Sequence, residues 1–491
     1  MGKARWSELD DKELERTLAE SIDGLPMEDV VENVVPLKSA MLYVLVGLVL
    51  SSVVFSFFKL NYILPTVGAV LSLLGYRKLK SENKYFSACY AIELVSLVYI
   101  LAVLILNTMT LGADVHVKYV LKVISVIMAA VSIAGVFCLW LALRQVQKKA
   151  GLEQGAYAVL ALAGWYALVG LLAVFGYGSV HLVTMIIAIA VFAVLIRAIY
   201  KLPRELDEAG YLVRTSQIRI PDKAVVIAVS AVLVIGCACG YMFGNGYRMA
   251  WSIRDDVQQG TDIESIRENL IAQGFPDYVL NDLTSDEIAS CGGAVNILTQ
   301  IKNNDNGLQF TDVAVQVQDA DVDEMWIIFH YFKWTEDKKP YGAEAVQIWT
   351  TEHEIQEGWR TVGEVDGRLM YDKGGVTYTA PYHSMESVTY NRTAWIDRVQ
   401  TVTDNIGTFS FPRKGENCRG YMSYSTVHTD KAYFTFYDFI NYTYQSSWLQ
   451  YPVITAYDNM TGGRFNQKPF MTVQNPFSFY IREDGAGFDY R

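Results

Sequence analysis

Seven apolar runs follow one another in the first half of the chain, at 39–58, 61–76, 86–107, 119–143, 156–176, 180–200 and 223–244. A bilayer core takes about 20 apolar residues per helix. Lipid offers no water to satisfy backbone N–H and C=O groups, so a crossing segment must be helical or part of a closed barrel. One such run is compatible with a buried helix of a soluble protein. Seven in succession predict a membrane all-α bundle of seven transmembrane helices. The second run, NYILPTVGAVLSLLGY, is the shortest and contains Pro65. Almost no loop separates it from the first, which predicts a tight helical hairpin.

Lys and Arg in short loops orient such a bundle. Arg77, Lys78, Lys80 and Lys84 fill one loop, Arg144, Lys148 and Lys149 another, and Arg197, Lys201, Arg204, Arg214, Arg219 and Lys223 a third segment. The alternate loops are nearly bare, with Lys59 in one and Lys118 in another. The alternation predicts a cytoplasmic N-terminus, and an odd number of spans then places the C-terminal domain outside. The expected site is the plasma membrane. The first 35 residues are polar and lack a cleavable leader pattern, so the first run is expected to serve as an uncleaved anchor. In the tail (1–38), Leu14, Leu18 and Ile22 recur every four residues, as on one face of a short helix.

Ionisable residues within a span are costly and point to function. Glu93, in ACYAIELVSLVYI, lies about eight residues from the cytoplasmic end of its run, and Arg197 stands at a compatible depth in the sixth. A Glu93–Arg197 pair would offset much of the burial cost. The alternative is a proton- or ion-coupling carboxylate. In the seventh run Gly236, Gly240 and Gly244 recur every four residues, a small-xxx-small seam for close helix approach. Cys237 and Cys239, two apart, fall on different helix faces and are expected to be plain thiols.

Beyond residue 245 the composition changes. Residues 246–491 carry 34 acidic and 20 basic side chains, a balance of −14, against 18 and 21 (+3) before them. An acidic domain excludes nucleic acid as a natural partner. Residues 246–294 read as a helical neck, with Asp262 as one N-cap and Thr284 or Ser285 as another. From about 295 the period becomes two, as in QFTDVAVQVQ. About ten short strands, punctuated by Asn306-Gly307, Asp366-Gly367, Lys373-Gly374-Gly375 and Gly462-Gly463, predict an extracytoplasmic, mainly-β sandwich or jelly roll over 295–491.

Chemistry in this half is sparse. Cys291 and Cys418 would form a disulfide tying neck to sheet, or both stay reduced. Asp319, Asp321 and Asp323 begin a calcium-loop pattern but lack its Gly and its final Glu, so a solvated acidic turn is the stronger reading. His353 to Glu357 (HEIQE) lacks the second His of a zinc-protease helix. Ser384 and Ser425 have no Gly-x-Ser-x-Gly turn around them. No cofactor motif is present. Exposed Tyr and Trp would stack on sugars, although in a sandwich they more often fill the core. Asn391, Asn441 and Asn459 match a glycosylation pattern that is common by chance.

The stretch VVPLKSAMLYVLVGLVL, continued by LNYILPTVGAVLSLLGYRKLKSENKYF, resembles multi-pass membrane proteins of anaerobic Gram-positive bacteria that have no assigned activity. The resemblance implies a bacterial plasma-membrane location and carries over no site residue. The leading expectation is therefore an anchored β domain that binds an envelope ligand or protein partner, as a sensor or scaffold. A transporter or transporter accessory comes second, on Glu93 and the glycine seam. A membrane-anchored envelope enzyme comes third.

Overall fold

A computed structural model describes residues 34–52, 59–174, 182–214, 220–255, 261–318, 325–336, 341–351, 358–393, 399–430, 432, 434–447, 449–461, 469–482 and 485–488. Asp319, Asp321, Asp323, the HEIQE segment, the Gly462-Gly463 turn and the stripe at Leu14 fall outside them. The chain divides into two compact units, Met1–Ile105 with His116–Cys237, and Leu106–Val115 with Ala238–Arg491.

The apolar runs fold as helices α1 (Leu37–Ser52), α2 (Leu60–Leu79), α3 (Lys84–Leu106), α4 (Val115–Lys149), α5 (Tyr157–Val174), α6 (Leu182–Glu208) and α7 (Asp222–Phe243). Seven spans are not supported. Among the described residues four helices are long and apolar enough to cross, namely Lys84–Leu106, His116–Lys149, Ile186–Glu208 and Asp222–Phe243. The reason is length and composition. The 16 residues of α1 rise about 24 Å at ~1.5 Å each, short of a bilayer core of about 30 Å. Helix α2 runs unbroken through Pro65, but Arg77 and Lys78 occupy its last turn.

The expected hairpin of α1 and α2 is present and very close. A Cβ on Gly47 would stand 2.6 Å from the Gly68 carbonyl oxygen, and one on Gly68 would stand 2.6 Å from that of Gly47. Small residues spaced by four on both helices, Gly47 with Ser51 and Gly68 with Ser72, permit this approach. Leu37, Val44, Phe86, Leu139, Leu143 and Leu162 pack into the core of the bundle. A short antiparallel pair, β1 (Val34–Pro36) with β2 (Leu212–Arg214), completes the first unit.

The second unit is antiparallel β with a helical cover. Its strands are β3 (Ser252–Ile253), β4 (Ala294–Asn303), β5 (Leu308–Val317), β6 (Met325–Trp334), β7 (Tyr341–Trp349), β8 (Trp359–Lys373), β9 (Val376–Pro381), β10 (Ser384–Thr393), β11 (Val399–Phe409), β12 (Glu416–His428), β13 (Thr435–Gln445), β14 (Phe470–Arg482) and β15 (Gly485–Phe488). One sheet runs β3-β9-β8-β12-β6-β5-β4 and the other β10-β11-β7-β13-β14-β15. Phe310, Trp326, Phe332 and Met422 of the first share one core with Ile348, Phe409, Phe436, Tyr442 and Phe479 of the second, so the sheets form a sandwich. Alternate residues of β5 and β6 (Val313, Val315, Ile327, Phe329) point the other way and pack under Leu270, Val279, Leu280 and Ile288. Those four come from the expected neck, which folds as α8 (Thr261–Ala272), α9 (Asp277–Leu280) and α10 (Ser285–Ser290). The neck is thus a third layer on the sheet. Thr284 and Glu287 close a capping box at the start of α10.

Cys291 and Cys418 are both free and buried in the structure, not joined to one another. They belong to different layers, Cys291 beneath the neck helices and Cys418 inside the sandwich. Burial pushes each thiol up to about 12, leaving both protonated and inert.

Candidate functional site

Glu93 faces a cavity of about 350 Å³ enclosed by α1 to α5. From α3 it is joined by Cys89, Ser96 and Tyr99, a polar stripe spaced by three and four along an otherwise apolar helix. Helix α4 supplies Ser125 and Ser132, seven apart and therefore on the same face. Ser51, Ser52, Ser72 and Tyr76 come from the close-packed hairpin, and Tyr166 from α5. The glycine contacts of that hairpin bring its serines to the cavity wall. Glu93 is the only acidic or basic residue among the described lining residues.

The hydroxyls have a definite polarity. Ser52 donates to the Leu48 carbonyl (2.7 Å), Ser125 to Lys122 (2.7 Å) and Ser132 to Met128 (2.9 Å). Ser52 also shares a 2.5 Å bond with the Tyr166 hydroxyl. A serine whose single proton is spent on its own helix has only lone pairs left to offer. These three oxygens can therefore accept further hydrogen bonds on the cavity wall beside Glu93.

The expected Glu93–Arg197 pair is not among the described ion pairs. Arg197 lines a different, apolar groove beside α1. The glycine seam of α7 packs inward: a Cβ on Gly236 would lie 2.4 Å from Ile105 Cδ1, on Gly240 1.9 Å from Thr108 Oγ1, and on Gly244 2.6 Å from Met109 Cγ. No group of three or more His, Cys, Asp or Glu among the described residues is arranged to hold a metal ion.

In the β domain the large aromatics divide between the core and the surface, where Tyr341, Phe434 and Tyr437 are exposed. Trp326, Tyr331, Tyr421 and Tyr442 are fully buried. At the centre of the sandwich lies a polar cluster that the strand pattern alone did not reveal. His330 Nδ1 meets Asp312 Oδ1 at 2.7 Å and Nε2 meets Asp438 Oδ2 at 2.8 Å, with no solvent exposure. Tyr424 donates to Asp438 and Asn475 to Asp312. Burial opposes a charge on His330, but the flanking Asp438 and Asp312 carboxylates outweigh it and push it up to about 10. The missed signal was a polar residue at an inward register position in three strands, Asp312, His330 and Asp438. The cluster reaches no cavity and ties the two sheets together.

A second cluster joins neck to sheet. Asp282 accepts from Arg419 (2.6 Å), Tyr331 (2.9 Å) and Arg254 (3.3 Å), and Arg419 also reaches Asp372 (3.0 Å). Beside it is a polar cleft of about 300 Å³ lined by Glu287, Asp366, Arg368 and Tyr421.

No family model matches the chain, and no curated protein matches it. Solved structures with some likeness include a "Pore forming protein" (6% identity, 38% of this chain and 90% of that one, TM-score 0.19), Clostridium perfringens delta-toxin (8%, 38% and 89%, 0.20) and a collagen-binding domain from a Staphylococcus aureus adhesin (8%, 30% and 86%, 0.17). At such scores these likenesses carry no argument about fold or function.

Proposed function

We propose that the chain is a multi-pass membrane protein whose helical half binds a small cationic or protonatable solute at Glu93, as a carrier or a carrier's accessory subunit. The observation behind this reading is the single acidic side chain in a polar cavity where Ser52, Ser125 and Ser132 each donate to a carbonyl of their own helix. The volume, about 350 Å³, falls in the range of small-molecule sites, roughly 300–1,000 Å³.

A cytoplasmic N-terminus is supported by how the basic segments bond to one another. Glu82 accepts from Lys149 (2.6 Å) and Tyr211 (2.8 Å), Lys78 pairs with Asp222 (3.2 Å), and β1 pairs with β2. Segments 34–36, 77–84, 144–155 and 197–223 are those that the charge pattern assigns to one face.

The test is equilibrium binding of sodium, potassium and methylammonium to the purified full chain in detergent, with Glu93→Gln beside it. Binding of at least one cation, weakened about tenfold or more in the variant while the circular dichroism is unchanged, is the expected result. Equal binding by both proteins across the panel would sink the reading.

A second reading gives the β domain a protein partner outside the cell. It is supported by a cleft of about 300 Å³ lined by the charged Glu287, Asp366 and Arg368. A photo-crosslinking residue at Asp366 in intact cells should yield a discrete adduct that a probe at exposed Lys302 does not. Identical patterns from both positions would remove it.

A further inference from the structure

Along α6 the apolar sequence runs to Ile196 and then meets Arg197, Lys201 and Arg204 at successive turns. Beside it α1 leaves a groove of about 670 Å³. Leu45 and Val49 form one wall, Phe192 and Ile196 the other, and Arg197 with Tyr200 closes one end. Arg197 is the only charged side chain among the described residues lining it. Arg204, two turns further along the same face, is held by Glu208 at 2.9 Å, but no described ion pair involves Arg197.

We propose that this groove is a binding site for one anionic phospholipid, its phosphate on Arg197 and an acyl chain along the apolar walls. Three arguments meet here. First, Ile186–Glu208 is apolar and long enough to cross a membrane, so the groove opens on lipid rather than water. Second, a guanidinium at the edge of hydrocarbon is costly without a counter-charge, and its planar fork suits phosphate oxygens. Basic pockets between membrane helices are a recurrent home for anionic headgroups. Third, the dimensions agree. From Ile189 to Tyr200, both lining the groove, the helix rises about 16 Å at ~1.5 Å per residue. One leaflet of a core about 30 Å thick is about 15 Å deep. From a headgroup at Arg197 the groove runs eight residues to Ile189, about 12 Å at ~1.5 Å per residue, most of the depth of one leaflet. Tyr200, on the headgroup side, offers a hydroxyl at the interface, where tyrosine is at home. The site shares no lining residue with the Glu93 cavity, and stands or falls without it.

The experiment is native mass spectrometry of the full chain in mild detergent with equimolar phosphatidylglycerol and phosphatidylcholine. One retained phosphatidylglycerol, preferred about tenfold, is expected; tenfold corresponds to ~1.4 kcal/mol. Arg197→Gln should bring the preference close to parity while thermal melting is unchanged. Leu45→Trp, which fills the groove and keeps the arginine, should lower retention of both lipids. Lys201→Gln should leave the preference within about twofold. Parity in the unaltered protein, or an unchanged preference in Arg197→Gln, would overturn the proposal. So would an equal loss in Lys201→Gln, which indicates diffuse surface charge, or displacement of the lipid by millimolar inorganic phosphate, which indicates a free-anion site.

Discussion

Glu93 and His330 are both ionisable groups placed where apolar residues dominate, and their surroundings differ in kind. His330 is clamped at both ring nitrogens by carboxylates, which are themselves bonded to Tyr424 and Asn475. Both ring nitrogens and both flanking carboxylates there have partners, and only the Asn475 Oδ1 is left without one. Glu93 faces a cavity of about 350 Å³ with no described ion pair. A buried polar group that is fully bonded serves the fold, because breaking the set strands a charge in low dielectric. A carboxylate beside open volume is spared that role and remains available to a ligand. On the reading proposed above, the difference separates a group that holds the fold from one that binds a solute.

The sharpest way to break this contrast is to remove the histidine. His330→Ala would strand Asp312 and Asp438 between the sheets, at a cost of about 3–5 kcal/mol. Urea unfolding followed by fluorescence of the core tryptophans Trp326, Trp334 and Trp359 reads this. A loss below about 1 kcal/mol would show that the cluster does not hold the sheets. The next effect is one of pH. His330 holds its proton up to about 10 when folded, against an ordinary 6.5. Its contribution is therefore complete below 6.5 and fades as pH rises through 10. Asp312, raised by burial, acts with the same sign in the acid range above its ordinary value. Unfolding midpoints measured from pH 6.5 to 10 should fall, and His330→Gln should flatten the decline.

Smaller effects belong to the helical segments. Gly240→Val would drive a side chain into Thr108, whose Oγ1 lies 1.9 Å from the Cβ position, and should cost about 1–3 kcal/mol. Gly170, where a Cβ meets nothing within 4 Å, should accept alanine with less than ~0.5 kcal/mol of loss. Thermal melting in detergent distinguishes the two, and equal shifts would deny the seam its packing role. Smallest of all on stability should be Glu93→Gln, within about 0.5 kcal/mol, because it breaks no described ion pair. A large destabilisation would place Glu93 with His330 as a structural group and end the contrast.

Much of the fold was legible from residue spacing. Helix α3 begins and ends within two residues of its apolar run, and the alternation of Val313, Val315 and Val317 marks the face that packs under the neck helices. The site was legible only in part. Glu93 stood out because a carboxylate in LVYILAVLIL-type sequence is rare. Its serine surroundings did not, because Ser51, Ser72 and Ser132 lie on three helices and serine is unremarked in any one of them. The Glu93–Arg197 pair and the Cys291–Cys418 disulfide failed for the same reason. Depth along a helix, or a shared compartment, says nothing about which way a side chain faces, and each pair turned out to face different surroundings.

The sequence by itself determined the two regions, the positions of the helices and the period-two half, since those depend on hydrophobic periodicity within a single segment. Only the tertiary structure decided which polar groups meet. It put the Ser52 and Tyr166 hydroxyls in contact, set His330 between two strands' carboxylates, and turned the neck into a layer of the sandwich. Those juxtapositions join residues 18 to 114 positions apart, and they arise from close packing of several elements at once, which no local pattern encodes.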